Sequence, residues 1–182
     1  MRKQGVVAFD IDGVLTDFTL GFTRMAALLG LVKHEWSTDQ QKTWDFDFHV
    51  DLVWAAVDAN PRFWFDLDPL VTVGEIGLMN DMAEKASVIY VTGRHGTAEK
   101  QTTAWLERYG LPEGPVFFDA DKEALYRSLG KQLVAAIDDR PVICALWGKG
   151  LPVYTRVAPY NRDKFLGPQV TSIEQFYYEV AI

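Results

Sequence analysis

The sequence predicts an α/β fold: a mostly parallel sheet in a three-layer sandwich with helices, and a small helical cap inserted after the first strand. Three observations carry that expectation. From residue 74 onward, short apolar runs alternate with amphipathic helical stretches, the pattern of a parallel sheet with right-handed crossovers. Earlier, Gly5-Val6-Val7-Ala8-Phe9 reads as a buried strand that runs directly into acidic residues. Between residues 16 and 69 nothing is needed as a strand of the main sheet. The core is therefore expected over 1–15 and 70–182, and the cap over 16–69.

In chain order, Phe18 to Gly30 reads as a helix with Leu20, Met25, Ala26, Leu28 and Leu29 as its apolar positions and Gly30 as its stop. Residues 31–46 are irregular and polar. Trp36, Trp44 and Phe46 are interleaved there among charges and are expected to pack within the cap. Val50 to Ala59 reads as a helix with Leu52, Val53, Ala56 and Val57 on one face, broken by Asn60-Pro61. Then follow a helix over 74–86, a buried strand over 87–92 ended by Gly93, and a helix over 97–109 closed by Gly110. A short strand over 115–118 and a helix over 121–129 come next, the helix capped by Asp121 or Asp119. The strand over 133–137 ends on Asp138-Asp139, and Pro141 opens the helix after it. A strand over 153–155 and a helix over 171–180, capped by Thr171 or Ser172, complete the pattern.

Composition bounds the function. The chain has 182 residues, enough for one full core, and 48% of them are hydrophobic, as in a globular protein that folds around one. A net charge of −7 argues against a broad nucleic-acid surface, because a phosphate backbone is repelled by such a field. One cysteine, Cys144, excludes an internal disulfide and a thiolate metal cluster. No stretch reaches transmembrane length and the first apolar run is too short for a signal peptide, so a cytoplasmic location and no membrane partner are expected. His34, His49 and His95 show no metal-ligand spacing.

The chemistry concentrates at strand ends. Asp10-Ile11-Asp12-Gly13 follows the first strand, and in an open α/β sheet ligands bind beyond the carboxyl ends of the strands. Two neighbouring acids there call for a cation or a shared proton between them. Gly13 allows a sharp turn and close backbone approach. After the next strand, Thr92-Gly93-Arg94 offers a hydroxyl suited to a phosphoryl oxygen. Lys122, just past another strand end, can neutralise both a nucleophile and a phosphate. Lys131 is its rival, but it precedes a strand and belongs at the opposite edge. Asp138-Asp139 supplies two more acids at a strand end.

The order Asp-x-Asp, Thr, Lys, Asp-Asp resembles the four motifs of the haloacid dehalogenase (HAD) superfamily over nearly the whole chain. Response-regulator receivers use similar residues, but their acidic pair comes first and their lysine last. A glycosyltransferase Asp-x-Asp would match one motif, not four. Within the superfamily, residues 10–18, 63–70, 104–109, 121–122, 137–141 and 158–162 resemble the 5′(3′)-deoxyribonucleotidases. The Thr92-Gly93-Arg94 and Asp138-Asp139-Arg140 strings instead resemble polynucleotide kinase 3′-phosphatase domains.

The resemblance implies a Mg²⁺-dependent phosphomonoesterase that hydrolyses nucleoside monophosphates, deoxynucleoside ones above all. Its alternatives are a polynucleotide 3′-phosphatase, another small-metabolite phosphatase, or a nucleotide-binding protein without turnover. Asp10 would be the nucleophile and Asp12 the general acid/base. Thr92, Gly93 and Lys122 would hold the phosphate. Asp10, Asp12 through its backbone carbonyl, Asp138 and Asp139 would hold the metal. Phe18 and Trp64 would stack on the base, with core packing as their alternative, and Arg94 would touch substrate or pair with an acid. The expected partner is a small phosphate ester, with self-association open and extended nucleic acid disfavoured.

Overall fold

Six parallel strands form one sheet in the order β3-β2-β1-β4-β5-β6 in the computed structural model of the chain. The strands are β1 (Val6–Phe9), β2 (Ser87–Val91), β3 (Val116–Phe117), β4 (Leu133–Asp138), β5 (Val153–Arg156) and β6 (Gln169–Val170). The residues described are 5–164 and 167–180. The first four, last two and residues 165 and 166 of the expected core lie outside them. The two-residue β6, paired through Thr155 and Gln169, was not expected. It is too short to show a hydrophobic period.

The central position of β1 places the chemistry. Phe9 lies opposite Tyr90 on one side and Ile137 on the other. Asp10, Thr92 and Asp138, each at or just past its strand's end, thus reach the same edge of the sheet. Alternation along β1 builds the layers. Val7 and Phe9 join one apolar cluster, and Ala8 joins another on the opposite face. The first face is covered by α3 (Val73–Lys85), α4 (Glu99–Arg108) and α7 (Ile173–Glu179), through Met79, Met82, Trp105 and Phe176. The second is covered by α5 (Lys122–Leu129) and the turns after α6 (Pro141–Cys144), through Tyr126 and Leu146. This is a Rossmann-like three-layer α/β sandwich.

Between β1 and β2 lie α1 (Phe18–Leu28) and α2 (Val50–Ala59), with a third apolar cluster of their own around Phe22, Ala26, Val53, Val57, Phe63 and Leu67. Ala26, Val53 and Val57 are buried as expected, but the leucines are not. Leu28 is 78% exposed and Leu52 56% exposed, whereas Thr19 and Thr23 are buried. The threonines can turn inward because their hydroxyls are satisfied: Thr19 donates to Gln41 and Thr23 to the Trp36 carbonyl. Counting apolar side chains misplaced part of the face for that reason. Asp17 caps α1 through the Leu20 amide and also accepts from Thr38, pinning the long connection back onto the helix start. Among the described residues no helix is long and apolar enough to cross a membrane.

Candidate active site

The loop after β1 is wound tightly. Ile11 N–H donates to Asp10 Oδ1 at 2.7 Å, and the amides of Leu15 and Thr16 both return to the Ile11 carbonyl. Gly13 sits at φ +80°, and a Cβ there would stand 2.0 Å from Asp139 Oδ2. Only glycine allows the first loop to close down on the end of β4 in this way.

Asp10, Asp138 and Asp139 are all buried, and each can place one carboxylate oxygen within 4.8 Å of the others. Lys122, at the first turn of α5 behind its Asp121 cap, reaches into this group. Its Nζ lies 2.8 Å from Asp10 Oδ1 and 2.6 Å from Asp138 Oδ2. Lys131 is exposed, ahead of β4. Burial and the neighbouring Asp138 charge hold the Asp10 carboxyl well above the ordinary carboxylate range, although Lys122 opposes the shift. Burial, then Asp138, push Asp139 up to about 7. Burial alone would lower Lys122, but attraction to Asp10 and Asp138 outweighs it and leaves the ammonium strengthened. Three carboxyl groups against one ammonium make a buried cluster poor in positive charge. That deficit and the hard oxygen donors fit a small divalent cation.

A turn after β5 holds Asp139 from behind. Tyr160 donates its hydroxyl to Asp139 Oδ2, and Asn161 Nδ2 donates to the Asp139 carbonyl at 2.8 Å. Asn161 also ties the Arg156 carbonyl and the Ala158 amide, so this turn and the end of β4 are one unit.

The Asp12 side chain faces elsewhere. Arg94 Nε donates to its Oδ2 at 2.9 Å and Arg94 Nη2 to its Oδ1 at 2.6 Å, while Thr16 donates to the same Oδ1 at 2.9 Å. Arg94 also donates to Thr102 at 2.9 Å, and its guanidinium lies 4.5 Å from the Trp64 ring centre. Thr92 is fully buried; its hydroxyl accepts from the Arg94 amide and lies off the cavity wall, whereas Gly93 lines it.

Above the acids opens a cavity of about 590 Å³ lined by Asp10, Asp12, Lys122 and Asp139 and by an aromatic wall. Phe18 and Trp64 belong to that wall, together with Phe22, Trp44, Phe46 and Trp54. The Phe18 ring is nearly parallel to Trp64 (14°, 5.9 Å) and to Trp54 (23°, 5.7 Å). Trp44 meets Tyr160 edge-on at 5.4 Å. Phe46 packs against the cap cluster as expected yet, with Trp44 and Trp54, also lines the cavity; Tyr160 and His95 line it too, although neither was expected to face a ligand. The density of rings over 36–54 was the available signal for the first three.

No protein-family model and no curated protein matches the chain. Solved structures do. The HAD hydrolase YfnB from Bacillus subtilis, described as bound to magnesium, superposes with a TM-score of 0.63 at 14% identity, covering 100% of each chain. The haloacid dehalogenase-like hydrolase SP0104 from Streptococcus pneumoniae gives 0.63 at 13% identity over 97% of this chain and 98% of its own. A HAD-superfamily hydrolase of subfamily IA from Geobacter sulfurreducens gives 0.60 at 12% over 98% and 99%. At these identities the likeness is one of architecture: the chain has the α/β fold of HAD hydrolases.

Proposed function

We propose that the protein is a Mg²⁺-dependent phosphomonoesterase for small phosphate esters, with nucleoside monophosphates, deoxynucleoside ones above all, as its substrates. The observation that carries the reading is Lys122 bridging Asp10 and Asp138 beside Asp139, on the floor of an aromatic-walled cavity. Asp10, the Asp138-Asp139 pair and the Asp12 carbonyl are the groups that would hold the metal. Bound there, Mg²⁺ supplies positive charge that offsets repulsion between carboxylate and phosphate.

The chain's own groups do the rest. Asp10 attacks phosphorus; its Oδ–P bond forms as the ester P–O bond breaks, giving an aspartyl-phosphate. Asp12 gives a proton to the departing oxygen and later takes one from water. Lys122 stays against Asp10 and stabilises charge on the transferring phosphoryl group. Gly93, on the cavity wall, and the tight loop after Asp10 frame the phosphate, and Thr92 shapes the Gly93 turn from beneath. Residues 16–69 act as a cap over this floor: most of the aromatic wall comes from that segment. Phe18 and Trp64 are its base-stacking faces, since planar rings favour a planar base.

Hydrolysis of an aryl phosphate with and without Mg²⁺, alongside Asp10→Asn, tests the chemistry. Metal-dependent turnover that the variant loses is expected. Turnover by Asp10→Asn near the wild-type rate would overturn the covalent route.

A further inference from the structure

We propose that Arg94 is a positioning residue that acts through Asp12, serving the step in which water releases the phosphate from Asp10. The inference rests on the phosphoesterase reading above. From its place after Thr92-Gly93, Arg94 could touch substrate or pair with an acid, and its guanidinium is bonded to Asp12. Its side chain has no solvent exposure, while that of Asp12 is 23% exposed. Both residues border the cavity, and the guanidinium is turned onto the Asp12 carboxylate. Both Asp12 oxygens are taken by the guanidinium fork, at 2.9 and 2.6 Å, the bidentate geometry that fixes a carboxylate plane as well as its place.

The guanidinium is itself held. Thr102 accepts one of its protons, the Trp64 ring covers it, and the Arg94 backbone is tied to the β3–α5 loop through the Asp119 amide at 3.0 Å. A side chain this constrained orients its neighbour even though it borders the cavity.

In the second half of the reaction a water oxygen bonds to phosphorus and one water proton passes to Asp12. The Asp10 Oδ–P bond breaks, and its electron pair returns to the Asp10 carboxylate. Inorganic phosphate leaves, and the proton now on Asp12 is available to the next leaving group. An aryl phosphate with a good leaving group needs no such proton, so the first half should run without Arg94.

The test is rapid-mixing hydrolysis of p-nitrophenyl phosphate at saturating Mg²⁺, with acid-quenched protein weighed for the phosphoryl adduct. In Arg94→Ala a burst of nitrophenolate near one per site should persist, with steady-state turnover slowed about 100-fold, as misplaced catalytic groups typically cost, and the adduct should accumulate. Arg94→Lys should restore part of the rate. Thr102→Val, which leaves Arg94 in place, should show the same signature with a smaller loss. Slowing of the burst as much as of the steady state, or an unslowed steady state in all three variants, would overturn the assignment. Should Arg94→Ala not fold, the other two variants decide it by the same criteria. A wild type that turns over with no trappable adduct, and an active Asp10→Asn, would instead remove the covalent reading itself and this inference with it.

Discussion

Lys122 Nζ lies 2.8 Å from Asp10 Oδ1, with both side chains almost wholly out of solvent. The same ammonium bonds Asp138, so one cation holds the end of β1 to the end of β4. Lys122→Met should lower kcat/KM by roughly 100- to 1,000-fold, the usual effect of losing a preorganised charge at the transition state. It should also destabilise the metal-free protein by about 3–5 kcal/mol, because two carboxylates stay buried without their partner. Added Mg²⁺ should recover part of that stability. Lys131→Met, at an exposed position, should leave both quantities close to wild type. Steady-state kinetics and denaturant midpoints check this; comparable losses in the two variants would place the working lysine elsewhere.

Gly13 faces Asp139 in a way no other residue can. Gly30 provides the control: it has a similar φ of +72° but nothing within 4 Å of an added Cβ. Gly30→Ala should cost only the backbone penalty of a left-handed residue, about 1–2 kcal/mol. Gly13→Ala carries that penalty plus a clash with a buried carboxylate, so its denaturation midpoint should fall further and its Mg²⁺ affinity should drop as Asp139 is displaced. Equal midpoints for the two variants would mean that the loop yields without cost.

The acidic group also sets a pH dependence. Folding raises the Asp139 carboxyl from its ordinary value to about 7, chiefly by burial, and raises Asp10 as well. The folded state thus binds more protons than the unfolded state between the ordinary carboxylate range and about pH 7. Stability held by these groups is fully present below that range and is lost as pH rises through it to neutrality. Metal-free protein should melt at a lower temperature at pH 7.5 than at pH 5.5, and Asp139→Asn should flatten the dependence. Because a cation stabilises the ionised carboxylates, the rise in Tm on adding Mg²⁺ should be larger at pH 7.5 than at pH 5.5. A Mg²⁺ effect that grows as pH falls would contradict the placement of the ion among these acids.

How much of this was legible in the sequence follows from how local each signal is. Asp10, Asp138 and Lys122 were readable because each sits beside a strand end, and strands announce themselves by β-branched apolar runs. The choice of Lys122 over Lys131 needed only the direction of the neighbouring strand. That Arg94 pairs with an acid was one of two readings open at that position, but its partner Asp12, 82 residues away, was not readable. Tyr160 at Asp139 was hidden likewise, across 21 residues and a turn with no periodic signature. In α1, Thr19 and Thr23 defeated the hydrophobic count because distant groups satisfy their hydroxyls. The aromatic wall was visible as composition, but whether rings face a core or a cavity is a property of packing.

Trp54 offers the cleanest test of the substrate. It lines the cavity, stacks on Phe18 and remains 40% exposed. Trp64 is less suitable, since its ring also covers Arg94 and its loss would disturb Asp12. If the wall receives a nucleobase, Trp54→Ala should raise KM for dUMP and dTMP by the worth of a base stack, roughly 1–3 kcal/mol, with little change in kcat. Hydrolysis of a ring-free ester such as glycerol phosphate should be unaffected by the same change, because the phosphate end of the cavity is intact. A 3′-phosphorylated oligonucleotide, measured at matched salt and Mg²⁺, should be a poorer substrate than either nucleotide: a chain of net charge −7 repels a polyanion. A clear preference for the oligonucleotide would reassign the wall to a strand end. A Trp54→Ala variant that loses the ring-free ester as severely as the nucleotides would show that the wall supports the fold rather than a base.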